Sequence, residues 1–128
     1  MFRCRVINPG YAEGIALVSS KPVSLLGDID ENGIFTVGEL KGECVADRIL
    51  VFPFGRGSTV GSYTLLRLKK RNLAPKAIIN RETEAIIAVG AVIADIPLVD
   101  RVEEEFFKIV KTGDHVAVDA VNGYVKTR

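Results

Sequence analysis

A chain of 128 residues is sized for one domain, spanning 1–128, because single hydrophobic cores commonly form at about 100 to 150 residues. Hydrophobic residues make up 48% of it and charged residues 26%, which is enough for a core and a hydrated surface. With 17 Lys and Arg against 16 Asp and Glu, the formal charge of +1 offers no broad attraction for nucleic acid or for an anionic membrane, and neither is expected as a partner.

The opening stretch, MFRCRVINPGYAEG, contains no apolar run ending in a small-residue cleavage site, so a cytoplasmic protein with reduced thiols is expected. Cys4 and Cys44 lie 40 residues apart and form no CxxC pair or Cys/His cluster, so no metal ligand is assigned to the chain. Residues 14–18, 23–26 and 34–37 read as short strands, separated by turn chemistry at Asn8-Pro9-Gly10 and Asp30-Glu31-Asn32-Gly33. Residues 48–52, RILVF, form a continuous run of strand length, the pattern of a strand covered on both faces.

Directly after this run comes Pro53-Phe54-Gly55-Arg56-Gly57-Ser58-Thr59-Val60-Gly61-Ser62, and then residues 63–72 with Tyr63 and Leu66 at helical spacing. The reading is strand, glycine-rich loop, helix, with Ser58 or Thr59 as N-cap and a stop at Asn72 and Ala74-Pro75. The basic Arg67, Lys69, Lys70 and Arg71 read as a solvated face of that helix. Residues 76–80 form a second buried strand, 82–91 a helix, and 96–99 a third strand. Glu103 to Glu105 ahead of Phe106 and Phe107 fit the first turn of a short helix, and residues 113–125 close the chain as a strand pair around Asn122-Gly123. Strands alternating with helices in the second half imply a parallel sheet, and the strand-only first half an additional β layer. The apolar stretch 85–94 is too short to span a bilayer.

The segment that carries chemistry is Gly55 to Ser62. Glycines allow positive φ and close approach of backbone to a ligand, while unpaired amides at a helix start favour an anion. Arg56 adds a planar, two-pronged grip on a carboxylate or phosphate. In such a field the alkoxide of Ser58 is less costly to form, which makes this side chain a candidate proton acceptor. The same residues also suit a plain N-cap and tight turn. No lysine follows Gly61 as in a P-loop.

Taken together, Gly27-Asp28-Ile29-Asp30, the loop 50–62, Ala74-Pro75-Lys76, Gly90 to Pro97 and Thr112-Gly113-Asp114-His115 resemble the small subunit of the aconitase X family over nearly the entire chain. The resemblance implies an α/β fold: a swivelling β/β/α domain with a small parallel central sheet, an extra β layer and helices on one side. It also implies a hydro-lyase subunit acting on a small anionic hydroxy acid, inactive without a larger partner that carries a 4Fe–4S iron–sulfur cluster. On the family pattern Ser58 is the catalytic proton acceptor, and Arg56, Gly57, Thr59, Gly61 and Ser62 contact substrate. Family loops often have a second serine where this chain has Thr59. Free-standing small subunits of this type imply 5-phosphomevalonate as substrate, in the archaeal mevalonate route to isoprenoids, whereas members acting on hydroxyproline are usually longer fused chains.

Residues 77–99 and 112–125 also resemble the mobile domain of phosphoenolpyruvate-using enzymes, but Arg81-Glu82-Thr83-Glu84 offers no histidine to carry a phosphoryl group. His115, the one histidine, reads as structural. Glu84 reads as a helix-surface carboxylate and Asp28 and Asp30 as turn residues, with Gly27 and Asp30 facing the partner in the family pattern. A non-catalytic binding module remains the competing reading.

Overall fold

The computed structural model describes residues 1–127, and for Thr59 its backbone alone. The chain forms β1 (Phe2–Arg3), β2 (Arg5–Asn8), β3 (Tyr11–Val18), α1 (Leu25–Asp28), β4 (Arg48–Phe52), a 3-10 turn (Thr59–Gly61) and α2 (Ser62–Lys70). It continues through β5 (Ala77–Asn80), α3 (Ala85–Ala94), β6 (Leu98–Asp100), α4 (Glu104–Ile109), β7 (His115–Asp119) and β8 (Tyr124–Thr127). All eight strands share one sheet in the order β1-β8-β7-β3-β4-β5-β6-β2. The four strands β3 to β6 run parallel, and the flanking pairs are antiparallel.

The apolar runs of β4 and β5 are buried on both faces because each face carries its own core. On one face Leu50, Phe52 and Ile78 meet Leu25 of α1, Leu65 and Leu68 of α2, and Ile87 and Ala91 of α3. On the other, Ile49, Val51 and Ile79 meet Phe106 of α4 together with Val116, Val118 and Val125. The helices expected on one side therefore divide: α1, α2 and α3 cover one face, and α4 the other.

The additional β layer is a continuation of the same sheet. Arg3 pairs with Tyr124 at one edge of the strand order and Arg5 pairs with Asp100 at the other, with only Cys4 between them. Consecutive Cα atoms are about 3.8 Å apart, so the two edges lie side by side and the sheet bends round until it closes through its first strand.

Residues 23–26 and 34–37 are not strands. Ser24 accepts a hydrogen bond from the Gly27 amide at 3.2 Å and caps the short helix α1, leaving Val23 a single bridge to Gly55. Ile34 and Phe35 likewise form isolated bridges, to Cys44 and Ile29. Asn72 ends α2 in the left-handed conformation at φ 59°, with the Leu73 amide donating to the Leu68 carbonyl. Among the described residues no helix is long and apolar enough to cross a membrane.

Candidate functional site

The glycine-rich loop leaves the carboxyl end of β4, the end of a parallel sheet at which ligands commonly bind. The amides of Arg81 and Glu82 both donate to the Pro53 carbonyl and fix where the loop begins. Phe54 and Arg56 then bracket Val23: the Val23 amide donates to the Phe54 carbonyl at 3.2 Å, and the Arg56 amide to the Val23 carbonyl at 3.0 Å. Gly55, between them, is buried. A Cβ there would stand 2.3 Å from Cγ1 of Ile87 and 2.5 Å from Oε1 of Glu84, so only glycine lets the loop lie this close to α3.

Gly57 turns the chain outward at φ 105°, against the Ser24 hydroxyl. Arg56, Gly57 and Ser58 are all exposed. The Ser58 hydroxyl accepts the Val60 amide at 3.2 Å, and its carbonyl accepts the Gly61 amide at 2.9 Å. Ser58 therefore caps the 3-10 turn. At the start of α2 itself, Gly61 holds the cap position with no side-chain hydrogen bond. The extra turn arises because the chain tightens into i to i+3 bonding before the helix proper.

The amides of Gly57 and Ser58 make no hydrogen bond among the described residues, and α2 has no acidic residue in its first turn. The open donors and the positive end of the helix thus face the same exposed loop. Gly61 is buried, and its amide donates to the Ser58 carbonyl. Ser62 is buried at the start of α2. The side chain of Thr59 lies outside the described residues.

Asp28 was legible only as a turn residue, yet its side chain is nearly buried and its Oδ2 lies 3.6 Å from Nη2 of Arg56. The two are 28 positions apart, and no local pattern announces the pair. Asp30 does serve a turn, accepting from the amides of Asn32 and Ile34. Glu84 is the N-cap of α3, accepting from the amides of Ile86 and Ile87. His115 lies away on β7, with Nε2 3.6 Å from Oε1 of Glu13.

Leu26 on α1 and Phe54 and Val60 on the loop that carries Arg56 and Ser58 are exposed. A cavity of about 660 Å³ opens at the opposite, amino end of the parallel strands, between Tyr11, Asp47, Asn72 and Pro97, and includes none of the loop residues. Both cysteines are free, and no group of three or more His, Cys, Asp or Glu among the described residues is placed to hold a metal ion.

The sequence profile of the aconitase X swivel domain matches residues 1–127. The chain belongs to the aconitase X swivel-domain family. Among its relatives, the phosphomevalonate dehydratase small subunit of Archaeoglobus fulgidus is 61% identical over 127 residues, covering 98% of this chain and 96% of the relative. The protein of the same name from Thermococcus kodakarensis is 53% identical over 125 residues, covering 95% and 92%. The crystal structure of Thermococcus kodakaraensis aconitase X in its holo-form superimposes with a TM-score of 0.92 at 50% identity, covering 99% of this chain and 97% of that one. The solution NMR structure of a UPF0107 protein gives 0.91 at 59% identity, covering 99% and 98%.

Proposed function

We propose that this swivel domain is the small subunit of a phosphomevalonate dehydratase, a hydro-lyase that converts (R)-5-phosphomevalonate to trans-anhydromevalonate 5-phosphate and water in the archaeal mevalonate pathway. The observation that carries the reading is the 61% identity to a small subunit of that name along almost the full length of both chains. The name also implies a larger partner. The exposed apolar side chains of Leu26, Phe54 and Val60 around an otherwise open loop support a surface that another polypeptide covers.

In this reading Ser58 is the proton acceptor. Elimination removes a proton from the carbon beside the carboxylate and the hydroxyl from the next carbon, leaving a double bond between them. The Val60 amide already points at the Ser58 oxygen, at 3.2 Å, and stabilises negative charge there. Arg56 and the open amides of Gly57 and Ser58 bind an anionic group of the substrate, with Thr59, Gly61 and Ser62 shaping the turn. A departing hydroxyl calls for a Lewis acid. Cys4 and Cys44 do not provide a cluster site, and the iron–sulfur cluster belongs to the larger partner.

The test is reconstitution with the larger subunit under anaerobic conditions and assay with 5-phosphomevalonate. Ser58→Ala is expected to lower turnover by about 10²- to 10⁴-fold, the usual share of a general base, while the two subunits still co-elute. Near-normal turnover by that variant overturns the assignment of the base, and robust turnover by the lone chain overturns the division of labour between subunits.

A further inference from the structure

We infer that Asp28 is a positioning residue that orients the Arg56 guanidinium toward substrate, an inference that rests on reading the loop as the anion site. Asp28 is itself held firmly. Its Oδ2 accepts the Ser24 amide at 2.8 Å, its own amide donates to the Ser24 carbonyl at 2.9 Å, and its carbonyl accepts the Thr36 amide at 2.9 Å. The side chain of Asp28 is 13% exposed and that of Arg56 58%, so a fixed, nearly buried carboxylate faces a largely solvated cation.

That asymmetry argues against a purely structural pair. A 3.6 Å pair with a largely solvated cation adds little stability on its own. Among the described residues Asp28 is the one ion-pair partner of Arg56, at 3.6 Å, and the guanidinium makes no hydrogen bond to any of them. The fork stays open to an incoming group, and an open arginine fork is what a carboxylate or phosphate engages. Ser24, which receives the Asp28 contacts, also supplies the hydroxyl against which Gly57 packs. The α1 turn therefore sets both the loop backbone and the direction of its only arginine. Fixing a long side chain before substrate arrives removes part of the ordering cost of binding.

The experiment is a double-mutant cycle in the reconstituted two-subunit enzyme, with 5-phosphomevalonate as substrate. Asp28→Asn keeps an oxygen for the Ser24 amide and removes the charge. It is expected to raise KM about tenfold, within the range of coupling measured between contacting residues, with kcat and the melting temperature little changed. Arg56→Ala is expected to raise KM at least as much, and the double variant to be no worse than Arg56→Ala alone. Asp28→Glu, which restores the charge, should recover part of the lost affinity. If Arg56→Ala raises KM but Asp28→Asn does not, or if the two effects add in full, Asp28 does not act through Arg56 and the inference falls alone. If Arg56→Ala leaves KM unchanged, the anion-site reading falls and takes the inference with it. A Glu variant as impaired as the Asn variant, with a matching drop in melting temperature, marks a structural role and also overturns it.

Discussion

Arg5 on β2 grips the fully buried carboxylate of Asp100 at the end of β6, through Nε at 2.8 Å and Nη2 at 2.7 Å, while the Thr83 amide donates to the same group at 2.8 Å. Burial alone disfavours the charge, but the arginine fork and the amide outweigh it and hold the carboxyl below its ordinary value of 3.8. A depressed folded-state value means stability that is fully present above that ordinary value and drains away as pH falls through the folded one. Asp100→Ala strips the acceptor from the amide and the guanidinium and is expected to cost about 2–3 kcal/mol at neutral pH. Urea denaturation of the two proteins should show that gap closing only below the ordinary carboxyl value of 3.8.

Burial pushes the Cys4 thiol up to about 11, with the nearby charges of Asp100 and Asp119 adding to the effect. Thiolate is the reactive form, so alkylation of Cys4 at pH 8 should run about two orders of magnitude slower than for a free cysteine. Timed iodoacetamide labelling read by mass spectrometry checks this, and unfolding in denaturant should abolish the protection.

Glu84 takes two of the unpaired amides at the start of α3, a helix with no charged residue of its own. Glu84→Ala is expected to cost about 1 kcal/mol, the usual value of a lost cap, and to lower the melting temperature by a few degrees. Calorimetry on the isolated chain measures it.

Gly57→Ala forces a side chain onto φ 105° and brings its Cβ to 2.8 Å from the Ser24 hydroxyl. Relief requires the loop to move, and displacement of a base by about 1 Å costs on the order of 100-fold in rate. Gly123→Ala, at φ 83° in the β7–β8 turn far from the loop, supplies the comparison. Both variants should lose similar stability in thermal melts, and only Gly57→Ala should lose turnover.

Much of this was legible before any coordinates. RILVF, the glycine-rich loop, the helix after it and the closing hairpin carry their own local signals, and each sits where those signals put it within a few residues. The first strand was missed although Phe2, Cys4 and Val6 alternate with Arg3 and Arg5 and turn inward to one core. A period of two over five residues is a weak signal here because the run breaks at Cys4 into a strand of two residues and one of four. Residues 23–26 misled for the opposite reason. Val23 and Leu25 look like a strand, but the Ser24 cap and the Asp28 side chain draw the segment into a helical turn. The Asp28–Arg56 pair had no sequence signal at all, because a contact across 28 positions exists only once β4 and α1 have been brought together.

The single-residue junction at Cys4 also dictates an order of events. β1 and β2 can be seated only once residues 124–125 and 98–100 are in place, and the Arg5–Asp100 clasp alone spans 95 positions. Until then Phe2 and Val6 lack the strands they pair with. Ring closure across so long a span is intrinsically slow, so folding passes through a stage in which the apolar lining behind these strands is on show.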